Sequence, residues 1–151
     1  MRLSPSSTMP YRFLEGITVA DVAFEARGKT LEEMFASAGL AVTNTMVKDL
    51  KSVSQTDVRE ISLESDDVEK LLFDFLQEII FFKDVDLLLF TGYDLKITEK
   101  GKNFSLECSA KGEKLDMEKH ELLVDVKAVT MHRFEVVKEK SGWKATVILD
   151  I

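Results

Sequence analysis

A chain of 151 residues with one cysteine and two prolines is sized for a single domain whose core needs no disulfides. Its formal net charge is −7; an acidic surface repels phosphate, which argues against direct nucleic-acid binding and for cations or a basic protein partner. The most apolar stretch, "LLFDFLQEIIFF", is broken by Asp74, Gln77 and Glu78, so it is too short and too charged to cross a membrane.

The opening "MRLSPSSTMP" lacks the apolar run of a signal peptide and reads as a flexible arm over residues 1–10, with one domain over 11–151. "YRFLE" and "VADVAFEA" read as two short strands, or one interrupted strand. Val22 and Phe24 share one face, and Asp21 and Ala23 the other. "GKTLEE" announces a helix: Gly28 permits a turn, and Thr30 with Glu33 forms a capping box. Apolar residues from Leu31 to Val42 recur at helical spacing and carry that helix to Met46. "DVREISLES" follows as a strand. A second helix then opens on Asp66 and Glu69, and Val68, Leu71, Leu72, Phe75, Leu76, Ile79 and Ile80 form its broad apolar face, extended by Phe81 and Phe82.

The second half reads as strands. "DLLLF" breaks at Gly92 and resumes as an alternation, "EKGKN" is a hairpin turn, and "FSLECSAKGE" alternates with Cys108 as a small buried hydrophobe. "LLVDVKAVTM" and "HRFEVVKEK" are two further strands, and "EKSGW" turns the chain into "WKATVILDI". Two helices in the first half and a strand meander in the second define an α+β fold, a single domain with two main helices packed against mainly antiparallel β-sheet. A doubly wound nucleotide fold is excluded, because strands and helices do not alternate and no glycine-rich phosphate loop occurs. A lone cysteine and no signal peptide place the chain in the cytoplasm.

Few residues suggest chemistry. His120, among charges in "EKHE", is expected to be exposed, and His132 to be structural near a strand end. The two form no zinc signature. No nucleophile elbow, zinc-protease helix or phosphate loop is present. The last strand brings the Asp150 side chain and the terminal carboxylate of Ile151 to one locality. Two anions that close favour a hard cation such as Ca²⁺, Mg²⁺ or Mn²⁺, with the Asp150 carbonyl as a further oxygen. On spacing alone, two solvated terminal groups account for the pattern better. Asp21, between Ala20 and Val22, is either a half-buried acid in need of a partner or an exposed residue on an edge strand.

The segments "YRFLE…ADVAFEARGKTLEEMFASAGLAV", "DVEKLLFDFLQEIIF", "GEKLDMEKHE", "VKAVTMHRFEV" and the final "LDI" together resemble the archease family, in order, spacing and chain end. The resemblance implies a divalent-cation site, with calcium foremost and Mg²⁺ or Mn²⁺ as alternatives, held by Asp21, Asp150 and Ile151. It also implies a non-enzymatic partner of an RtcB-type RNA ligase, stimulating guanylylation and multiple turnover in tRNA splicing and RNA repair. A general chaperone of nucleic-acid enzymes is the alternative, and a small metal-dependent hydrolase using the same carboxylates ranks last. The family's His-Thr-Ala-Asp stretch is altered here: the chain reads Gly16-Ile17-Thr18-Val19-Ala20-Asp21, without the His and longer by about two residues, so no role of that His carries over.

Overall fold

A computed structural model describes residues 10–15 and 21–151. The expected arm lies almost wholly outside this range, as does the altered 16–20 stretch before Asp21. Among the described residues, seven strands and two α-helices follow in chain order. They are β1 (Tyr11–Leu14), β2 (Asp21–Gly28), α1 (Leu31–Met46), β3 (Asp57–Ser65), α2 (Val68–Asp86), β4 (Leu88–Lys100), β5 (Asn103–Lys114), β6 (Ala128–Glu139) and β7 (Gly142–Asp150). A single 3-10 turn, Leu50–Ser52, separates α1 from β3.

The strands form two sheets, ordered β1-β2-β7-β6 and β3-β5-β4, and every pairing is antiparallel. This is the α+β arrangement expected from the separation of helical and strand patterns. Each sheet turns an alternating apolar face inward. Phe24, Ala26, Ala145, Val147 and Leu149 line one, and Ile61, Leu106, Cys108 and Ala110 the other, all buried in one cluster with the helices. Helix α1 packs on β2 and β4, and so bridges the sheets, while α2 packs on β6 and β3.

Local chemistry starts each helix. Thr30 caps α1, its Oγ1 accepting the Glu33 N–H at 3.1 Å. Glu33 reaches back one residue further than a capping box requires, to the Lys29 N–H at 2.8 Å. The cap of α2 is Asp67, one residue beyond the expected Asp66, and it accepts the Glu69 N–H at 2.9 Å. Glu69 closes no box because its carboxylate accepts the Val136 N–H of β6 at 2.9 Å. Of the two phenylalanines that extend the apolar face, Phe82 packs against the core and Phe81 is half exposed.

The tight turns are two residues long. Gly101 follows β4 at φ +61°, a backbone region where glycine meets no Cβ penalty. Gly92 marks a register shift rather than a strand end, and β4 runs through it. The expected strand over "LLVDVK" does not form. Glu121–Lys127 is a strap outside the sheets, tied to its surroundings by a bridge between Leu122 and Val47 and by the Lys127 N–H, which donates to the Asp150 carbonyl of β7 at 2.8 Å. The two segments "AVTM" and "HRFEVVKE" are instead one strand, β6, whose pairing is interrupted between Thr130 and Glu135, where Arg133 adopts φ 56°. His132 sits exposed in that interruption, mid-strand rather than near an end.

Candidate metal centre

The three residues singled out at the two ends of the chain are brought together by strand register. Strand β2 pairs antiparallel with β7 from Gly28↔Trp143 to Asp21↔Asp150. Because every residue between them is paired in step, the alternation that buries Phe24 against Val147 puts Asp21 directly opposite Asp150, both half-buried, on the face away from those two side chains. Side chains opposite one another in an antiparallel pair have Cβ atoms about 4.5–5.5 Å apart. The neighbouring strand β1 stops with Leu14 opposite Ala23, two places short of Asp21. So β2 is not an edge strand over most of its length, and among the described residues its first residue has a strand neighbour on the β7 side alone.

On its other side Asp150 pairs with Ala128 of β6, whose small side chain adds no bulk beside the carboxylate. The Asp150 carbonyl, offered by the sequence as a further ligand, accepts the Lys127 N–H at 2.8 Å. One of its lone pairs is therefore committed to holding the backbone, and its main contribution is to fix the strand end. Ile151 packs its side chain against the core cluster, so the residue after Asp150 is anchored rather than frayed.

Asp21 and Ile151 line one cavity of about 400 Å³, together with Glu15, Phe13 and Leu14 at the end of β1 and Leu123 and Val124 of the strap. Among the described residues its wall is apolar, acidic and, at Asn44 and Thr45, neutral polar, with no cationic side chain. Behind it, Asn44 at the end of α1 accepts the Tyr11 hydroxyl at 2.8 Å and donates to the Val47 carbonyl at 3.0 Å, which ties β1 to the helix exit. Burial pushes the Tyr11 phenol above its ordinary pKa.

Two carboxylates facing across a strand pair repel, and a divalent cation between them converts the repulsion into attraction. The donor set is all oxygen, which suits Ca²⁺, Mg²⁺ or Mn²⁺ rather than a softer metal. Among the described residues no three His, Cys, Asp or Glu side chains converge on a common point. A cation held here would therefore draw on the pair Asp21 and Asp150 together with main-chain oxygens.

Among the described residues, two of the other charged clusters enclose a buried histidine or lysine. His120 is buried at 3% exposure, contrary to the expectation from its charged neighbours. Its Nδ1 accepts the Asp116 N–H at 3.0 Å, leaving Nε2–H to donate to Glu113 at 2.8 Å. Glu113 also accepts Lys119 Nζ at 2.7 Å and the Ser54 N–H at 2.9 Å. The Lys119 bond first, then the Ser54 amide and His120, bring its pKa down to about 2. No feature of "EKHE" itself signals this, because Glu113 and Ser54 come from β5 and a distant turn. The second cluster is Lys83 of α2, its side chain 6% exposed, bonded to Asp84, to Asp125 at 2.6 Å and to the Val126 carbonyl at 2.8 Å. Burial pulls its pKa down, but the two carboxylates more than offset that and raise it above the ordinary lysine value. Cys108 is buried, as expected, and its thiol is pushed up to about 12 by desolvation, with Glu60 and Asp94 adding to the effect.

Residues 11–151 match the Archease protein family. A protein archease from Methanosarcina barkeri is 39% identical over 142 residues, which cover 93% of this chain and 95% of that protein. One from Pyrococcus abyssi is 37% identical over 133 residues, 87% of this chain and 93% of its own. The solution structure of a Methanobacterium thermoautotrophicum protein superposes with a TM-score of 0.82 at 37% identity, covering 95% of this chain and all 100% of that one. A crystal structure from Thermotoga maritima, described as an archease and possible chaperone, gives 0.60 at 19% identity over 93% and 98% of the two chains, a likeness of fold alone.

Proposed function

Since this chain belongs to the archease family, we propose that it is a non-enzymatic activator of an RtcB-type RNA ligase in tRNA splicing and RNA repair. It stimulates guanylylation and multiple turnover of the ligase through a divalent cation held by Asp21, Asp150 and Ile151, with Ca²⁺ foremost and Mg²⁺ or Mn²⁺ as alternatives. The family resemblance supplies the ligase. The observation that carries the site is the pairing of Asp21 with Asp150 across β2 and β7. A cation held by these residues would supply positive charge and a Lewis acid beside the Asp21–Asp150 pair. The protein's own part is to fix two carboxylates side by side at the end of a sheet, so the ligands are ordered before the partner arrives.

An apolar rim beside an acidic centre suits docking on a partner rather than turnover of a small substrate. The partner would hold the GTP and the RNA, consistent with a net charge of −7 that repels phosphate. No helix among the described residues is long and apolar enough to cross a membrane, and a cytoplasmic site of action goes with this partner.

The test is guanylylation of purified ligase with the parent chain, with Asp150→Ala, and with one residue added after Ile151. We expect both variants to lose stimulation by about tenfold or more, in line with the loss of a metal ligand or its support. Full stimulation by both would remove the cation mechanism.

One observation favours a second reading as a more general chaperone. Phe13, Leu123 and Val124 are exposed at 41%, 51% and 43%, and all three line the same cavity. That reading expects unrelated unfolded clients to compete with the ligase for this chain at similar concentrations. Competition by the ligase alone counts against it.

A further inference from the structure

The Asp21–Asp150 pair is held from behind by a segment with no sheet of its own. The strap Glu121–Lys127 crosses from the exit of α1 to the end of β7. Its carbonyl at Glu121 accepts the Lys48 N–H at 3.0 Å, and the Leu123 N–H donates to the Met46 carbonyl at 2.8 Å. At its far end the Lys127 N–H donates to the Asp150 carbonyl at 2.8 Å. Between those points Leu123 and Val124 form one wall of the cavity that Asp21 and Ile151 line. The strap thus touches both the backbone of one acid and the space in front of the other.

Main-chain bonds at the two ends do not fix the middle of such a segment. The middle is fixed by Lys83. Its ammonium, nearly excluded from solvent, donates to the Asp125 carboxylate and to the Val126 carbonyl on the strap, and to Asp84 on its own helix. Val126 itself is fully buried, so the bond to its carbonyl lies under the strap. An ammonium with three acceptors has its three donors satisfied, and a buried charge so placed has no alternative arrangement nearby. Lys83 lies late in α2, one of the helices that form the core, so its position is set by packing remote from the cavity.

We infer that Lys83 is a positioning residue for the Asp21–Asp150 site: clamped to Asp125 and the Val126 carbonyl, it holds the strap that fixes the Asp150 backbone and walls the cavity. The inference rests on the cation reading given above. Lys83 touches neither acid, so its effect on the site runs through the strap.

Asp125 gives the cleaner variant, since its side chain is 65% exposed and its loss leaves Lys83 paired to Asp84 and the Val126 carbonyl. The experiment titrates the full chain with CaCl₂ by calorimetry, for the parent, Asp125→Ala and Asp125→Asn. Amide hydrogen exchange of Leu123 and Lys127, and the thermal midpoint, are measured alongside. We expect Asp125→Ala to weaken calcium binding about tenfold, at the low end for a residue that supports a metal ligand. The two strap amides should exchange at least several-fold faster. Asp125→Asn, which keeps an acceptor for the ammonium, should recover most of both, and the thermal midpoint should barely move. Unchanged calcium affinity in Asp125→Ala, with binding by the parent, overturns the inference and spares the cation reading. Unchanged exchange of the strap amides also overturns the inference. A parent chain that gives no calcium binding overturns the cation reading and this inference with it.

Discussion

Glu113 and Asp150 are both carboxylates on the sheets, and the structure treats them in opposite ways. Around Glu113 the chain gathers donors: an ammonium from Lys119, an amide from Ser54 and the Nε2–H of buried His120. The negative charge is answered within the protein, and the cluster pins a turn to the end of β5. At Asp150 strand register sets a second carboxylate, Asp21, at the directly opposite position. There a like charge stands across the strand pair. A carboxylate saturated by donors stabilises the fold, whereas two facing carboxylates repel each other unless positive charge is brought between them.

That contrast can be broken first at Glu113. Glu113→Ala leaves the Ser54 N–H and the buried His120 Nε2–H without their acceptor, and should lower unfolding free energy by about 1–3 kcal/mol. Urea unfolding measures it, and calcium affinity should stay at the parent value. A variant as stable as the parent would mean that the cluster is ornamental.

A subtler effect is the pH dependence. The folded pKa of Glu113 is depressed to about 2 from the ordinary 4.5. A depressed carboxylate contributes stability that is complete above the unfolded value and is lost as pH falls through the folded one. The urea midpoint of the parent should therefore fall more steeply than that of Glu113→Gln between pH 4.5 and about 2, and run parallel to it above pH 5. Parallel curves throughout would contradict the donor-saturated picture.

The smallest effect is at the facing pair. Asp150→Asn removes one of two like charges and should stabilise the chain by about 0.2–1 kcal/mol in EDTA. In saturating calcium the same variant should lose that advantage, because the parent then gains from binding. Destabilisation in EDTA would show that the two acids do not repel.

The helices were legible because their signals are local. Thr30 meets Glu33 three residues on, and the apolar face of α2 repeats within a turn. The alternation of the later strands was legible for the same reason, and so was the burial of Cys108. Where a distant group competes, the local pattern misleads. Glu69 looked like half of a capping box, but β6 presents the Val136 N–H to it, and Asp67 rather than Asp66 became the cap. His120 looked exposed among its charged neighbours, but Glu113 and the Asp116 amide offered both ring nitrogens a partner inside. "LLVDVK" looked like a strand, but its backbone is held by the α1 exit and Lys83 rather than by a ladder.

The amino-acid sequence by itself determined the element types, the α+β class, the family and the identities of the two acids, because each follows from residue type, period or motif order. Only the tertiary structure decided that Asp21 lies opposite Asp150, with 128 positions of chain between them. That meeting depends on the register of β2 on β7, where a slip of one residue would turn both acids to the wrong face and expose the core of the sheet. The burial of Phe24 against Val147 forbids the slip, so the packing of the interior is what sets two charges side by side at the surface.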